Sequence, residues 1–112
     1  MLLDTPICDF GWRASDFTLK DTYGQSYGFT FPYLVDVTQV VGRAYGAVCT
    51  PDFFGLNAQG ELQYRGRIDD ARMGDAKDRK PELLNAIRLT AETGKGPKSQ
   101  TPSMGCSIKW RE

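Results

Sequence analysis

Apolar and polar side chains alternate from Phe17 to Lys20, and the alternation stops at Asp21-Thr22-Tyr23-Gly24. Asp at the first position and Gly at the fourth suit a type I turn followed by a left-handed residue. Gln25–Phe29 then predicts the return strand of a hairpin. Residues 1–16 mix Pro, Gly, Asp and aromatics without a period and predict an irregular arm. Phe29–Asp36 is an apolar run broken by Pro32. Proline lacks a ladder donor, so the run predicts a strand at a sheet edge or one starting at the proline. Asp36 and Gln39 have the spacing of a capping box. The following residues predict a short helix with Val40, Val41, Ala44 and Tyr45 on one side, stopped by Gly46.

A second hairpin is predicted where Pro51–Leu56 and Glu61–Ile68 flank Asn57-Ala58-Gln59-Gly60. Asp69–Lys80 is charged and predicts a solvated loop. Pro81 suits the first turn of a helix, in which Leu83, Ala86, Ile87, Thr90 and Ala91 recur at helical spacing until Gly94. Residues 95–112 carry two prolines and two glycines, which predict a tail, with a short strand near Cys106–Trp110. The pattern is α+β in one domain: an arm and hairpin over 1–28, a core over 29–94 and a tail over 95–112.

The chain has 112 residues, and a domain of this length buries roughly two-thirds of the surface its unfolded chain exposes. Fourteen basic and fourteen acidic side chains balance, and no basic stripe interleaves with aromatics, so nucleic acid is not an expected partner. No apolar run approaches the ~20 residues that cross a bilayer. The N-terminus has no basic segment followed by an apolar one, so no secretory signal is read and a cytoplasmic, reducing location is expected.

Histidine is absent, which excludes a Cys–His pair or a Ser–His–Asp triad within one chain. Asp69, Asp70 and Asp75 lack the alternation and closing Glu of a calcium loop. With Arg67 and Arg72 beside them they read as a solvated loop, and no metal or other cofactor is expected. Three widely spaced cysteines do not make a disulfide framework. A Cys8–Cys106 or Cys49–Cys106 bridge stays open, because spacing does not fix distance.

Cys49-Thr50-Pro51 has two local readings. Pro51 either starts a strand, or follows a cis bond that pushes the backbone of Thr50 outward toward a ligand. The segment from Phe29 to Arg72, with Thr101–Trp110, resembles the thioredoxin-like redoxins of the alkyl hydroperoxide reductase/thiol-specific antioxidant family. Ile7–Gln25 looks like the N-terminal hairpin of the same proteins. The resemblance implies that Pro51 is the cis-proline beside a redox site and that the parent activity is thiol–disulfide or peroxide chemistry. It also implies a departure. Family members carry a strand, a Cys-x-x-Cys at a helix N-terminus, that helix and another strand between the hairpin and Gly28–Leu34. Here the two ends join directly, near Tyr27 and Gly28.

The expectation is a truncated thioredoxin-like fold: two β-hairpins, a short middle helix and a C-terminal helix, without the central β-α-β crossover. The site residues are then Thr50 and Pro51, with no catalytic dithiol. Cys49 lies two residues before Pro51, with Arg43 and Arg65 as candidate cations to lower its pKa. It also reads as a small buried apolar side chain. A sheet without two central strands would leave Phe17, Leu19, Phe31, Leu34, Phe53, Leu56 and Leu62 uncovered. A homodimer, with strands or N-terminal hairpins exchanged, is the expected remedy.

Overall fold

The computed structural model describes residues 2–6, 8–14, 17–19, 28, 30–71 and 77–111. The expected N-terminal hairpin turn at Asp21–Gly24, its return strand and Tyr27 lie outside them. The architecture is α+β: among the described residues, five short strands in two antiparallel sheets and two helices. Among the described residues, no helix is long and apolar enough to cross a membrane.

The chain divides into two compact units, the larger comprising Met1–Ala14 and Val48–Ile108. It holds β1 (Leu2–Asp4), β2 (Cys49–Thr50), β3 (Phe53–Leu56), β4 (Leu62–Gly66), a helix over Glu82–Thr93 and β5 (Met104–Ser107). One sheet has the order β1-β5-β2, so the last strand is central. Leu3 lies opposite Gly105, and Thr50 opposite Cys106. The expected irregular arm and tail therefore meet as neighbouring strands. A strand this short has too few residues to show a period, and its partner comes from the far end of the chain.

The other sheet is the β3–β4 hairpin. Its turn follows the Asn-x-x-Gly chemistry. Gly60 donates to the Asn57 carbonyl at 3.0 Å and takes φ of +75°. Asn57 Oδ1 accepts from the amides of Gln59 and Glu61, while Nδ2 donates to Gly94 O at 3.0 Å. One side chain thus closes the turn and ties it to the end of the helix. A register shift at Gly55/Leu56 bends β3.

The helix over Glu82–Thr93 starts after Pro81 and stops at Gly94 (φ +78°). It packs on β3 and β4 and buries Ala86 and Thr90. Thr90 is accommodated because Oγ1 donates back to Ala86 O at 2.8 Å. The core of this unit is small: Cys49, Leu62, Tyr64 and Ala86. Leu62 was expected to lose cover and is instead buried, because the backbone of Gly11–Trp12 runs beside it. Gly11 N donates to Leu62 O at 3.0 Å, and Leu62 N to Trp12 O at 2.7 Å.

The smaller unit comprises Ser15–Ala47 and Lys109–Glu112. Its one regular element among the described residues is α1, Val40–Ala44; the long helix of the larger unit is then α2. The strand expected over Phe29–Asp36 is not formed in described residues 30–36. Pro32 removes a donor, and an apolar run becomes a strand only where a neighbour completes its ladder. Phe31, Tyr33, Leu34 and Val35 stay exposed. The expected capping box is half formed. Asp36 Oδ2 accepts from the Gly42 amide in the first turn of α1 at 2.8 Å, but Gln39 occupies the N-cap at φ +64° and its side chain makes no capping bond. α1 ends at Gly46 (φ +67°) as expected, but it buries none of its side chains.

Candidate functional site

Thr50 ends β2, and the Thr50–Pro51 peptide bond is cis. Both residues are exposed. The loop rests on Gly105 of β5, where any Cβ would collide with the Thr50 carbonyl oxygen. Glycine is required there because one backbone crosses another at contact distance.

Asp52 anchors the far side of the loop. Its Oδ2 accepts from Arg65 Nε at 3.1 Å and pairs with the terminal guanidinium nitrogen at 3.0 Å. Its Oδ1 accepts from Ser103 Oγ at 2.9 Å. Ser103 N donates to Thr5 Oγ1 at 3.1 Å, and Thr5 N donates to Ser103 O at 3.0 Å. The Arg65 guanidinium also lies 4.7 Å over the Phe54 ring. A buried charge is tolerated where it is paired and bonded, and here both carboxylate oxygens are engaged. The network spans β1, β3, β4 and the approach to β5, so it fixes the loop's base from four directions.

The thiols near this loop do not form a pair. Cys49 is 1 % exposed in the core, which agrees with its reading as a small apolar side chain. Of its two candidate cations, Arg65 is committed to Asp52, and Arg43 lies 4.5 Å over the Trp110 ring. Cys106 is exposed on β5 opposite Thr50. Neighbouring residues of a strand face opposite sides, so Cys49 and Cys106 lie on opposite faces of the sheet. Cys8 is half-buried; burial is the main influence and pushes its thiol up, while a hydrogen bond with Gln100 acts the other way. None of the three cysteines is in a disulfide, which closes the question of either bridge in this structure.

The acidic loop is engaged locally. Asp69 pairs with Arg79 at 3.1 Å, Asp70 Oδ1 accepts from Lys80 N at 2.6 Å, and Asp75 lies outside the described residues. Sequence reasoning missed Asp52, Ser103 and the structural role of Arg65. Only Gly105, a glycine inside a short strand, carried a signal of close backbone approach. The arrangement offers exposed Thr50 and Pro51 residues on a rigid base, with the exposed thiol of Cys106 opposite Thr50 and the buried Cys49 on the other face.

No family model matches the chain, and no curated protein matches it. Two solved structures are similar. One is a hypothetical protein from Sinorhizobium meliloti 1021, 46 % identical, with a TM-score of 0.64; the match covers 79 % of this chain and 49 % of that one. The other is an uncharacterized conserved protein from Geobacillus kaustophilus, 40 % identical, with the same TM-score; the match covers 79 % of this chain and 47 % of that one. The chain thus spans about half the length of each solved structure it matches.

Proposed function

We propose that this chain is a thioredoxin-like redoxin scaffold without its dithiol, catalytically inert as a reductase or peroxidase. The finer fold reading is a thioredoxin-like sheet lacking the central β-α-β crossover. The observation that carries it is the pairing of a cis-proline loop with an unsuitable set of thiols. Thr50–Pro51 stands exposed as a redoxin loop would, while Cys49 is sealed beneath it and Cys106 faces away from Cys49. The surviving role is binding: the exposed Thr50 and Pro51 offer a surface against which an extended peptide can lie. Free thiols suit a reducing, cytoplasmic compartment. The test is insulin reduction and peroxide consumption with dithiothreitol present. Background rates are expected. Turnover that Cys49→Ser abolishes would overturn the reading.

A second reading, self-association into a homodimer, is favoured by one observation. Phe31, Val37 and Val40 are 57 %, 58 % and 64 % exposed within ten residues of each other. A second copy can cover such a row. Sedimentation at micromolar concentration tests it, and a single monomeric species refutes it.

A further inference from the structure

We infer that Asp36, Gln39, Gly42 and Arg43 form a peptide-binding cradle for an extended, tryptophan-centred segment, filled in this structure by the chain's own Lys109–Arg111. Gln39 Nε2 donates to Lys109 O at 3.1 Å, and Gln39 Oε1 accepts from Arg111 N at 2.5 Å. A carbonyl and the amide two residues on are the groups a neighbouring β-strand would engage. One carboxamide therefore imitates a strand. The larger unit contains the same device: Gln100 Nε2 donates to Gln63 O at 2.9 Å, and its Oε1 accepts from Arg65 N at 3.0 Å. A recognition element used twice, on residues i and i+2 each time, reads backbone and not side chain.

Side-chain selectivity comes from the residue between the two contacts. Gly42 lies beside the indole of Trp110; a Cβ there would be in ordinary van der Waals contact with the six-membered ring, at 3.6 Å. Arg43 stacks over that ring at 4.5 Å and donates through its terminal nitrogen to Arg111 O at 2.9 Å. Arg–indole stacking adds attraction beyond area burial. Asp36 Oδ1 is enclosed without a hydrogen-bond partner among the described residues, so the cradle keeps an unused acceptor. Gln39 holds its carboxamide in place from a left-handed backbone, an uncommon conformation for this residue type. The ligand is thus an extended peptide with a central tryptophan, and the native tail blocks the site.

The probe is a fluorescent peptide of sequence Ser-Ile-Lys-Trp-Arg-Glu, followed by anisotropy. A chain ending at Ile108 should bind it at least about tenfold more tightly than the full chain, whose cradle is occupied. Full-length Trp110→Ala, which removes the indole stacking that holds Lys109–Arg111 in the cradle, should also gain binding. Gln39→Gly, introduced into either variant, eases the backbone and removes the carboxamide; binding should fall at least about tenfold. A probe with alanine for tryptophan should bind poorly throughout. If the shortened chain loses its fold by circular dichroism, the Trp110→Ala chain decides. Equal binding by full-length and vacated chains, or binding indifferent to Gln39→Gly, overturns the inference.

Discussion

Asp52 and Arg65 meet across the β3–β4 hairpin, with side chains 3 % and 8 % exposed and a shortest contact of 3.0 Å. Removing one member leaves the other buried without its opposite charge. Asp52→Ala or Arg65→Met should therefore destabilise the larger unit by about 3–5 kcal/mol. The double change Asp52→Leu/Arg65→Met should recover much of that loss, because replacing both partners removes the uncompensated charge. Urea denaturation of the three variants measures both effects.

Gly105 and Gly55 should respond differently to alanine. A Cβ at Gly105 meets the Thr50 carbonyl, which belongs to the backbone and cannot move aside. At Gly55 the nearest atom is Ile87 Cδ1 at 2.9 Å, the free end of a flexible side chain. Gly105→Ala should lower stability by more than about 2 kcal/mol and Gly55→Ala by less. Paired thermal melts decide the order.

Tyr64 supplies a pH dependence. Its side chain is buried, and burial, its largest influence, pushes the phenol up from 10.0 to about 12. Below pH 10 both folded and unfolded chains hold the proton, so stability is unaffected. Between pH 10 and 12 the unfolded chain releases it and the folded chain does not. Stability should fall across that window, by at most about 2–3 kcal/mol from this group. Tyr64→Phe should flatten the fall, as read by denaturation at stepped pH.

The three thiols should label in order of access. Iodoacetamide at neutral pH should modify exposed Cys106 first and half-buried Cys8 slowly. Cys49 should react only after denaturant is added. Timed mass spectrometry reads the order. Early labelling of Cys49 would contradict its place in the core.

Local chemistry was legible from sequence where the partners are close along the chain. Asn57 and Gly60 announce their turn, and Pro81 and Gly94 bracket α2, because each acts within one turn of backbone. The cis bond before Pro51 followed from resemblance, since local sequence allowed either isomer. Phe29–Asp36 misled: its apolar side chains and β-branched Val35 suit a strand, yet strand formation needs a neighbour that composition does not reveal. Asp36 and Gln39 show the proper capping spacing, and Asp36 does accept from an early helix amide, Gly42 N, but Gln39 turns instead to the backbone of 109–111. Asp52 lies thirteen positions from Arg65 and fifty-one from Ser103, so the base of the loop had no local signature.

The place of β5 between β1 and β2 constrains how the protein is made. A ribosome delivers residues in order, and Leu2–Asp4 emerge long before Met104–Ser107. Until the late strand arrives, the early one has no ladder to join. The β3–β4 hairpin can close alone during translation, but the three-stranded sheet must wait until Met104–Ser107 have emerged. In the interval Leu2–Asp4 are available to chaperones, and a polypeptide cut short before Met104 has no route to that sheet.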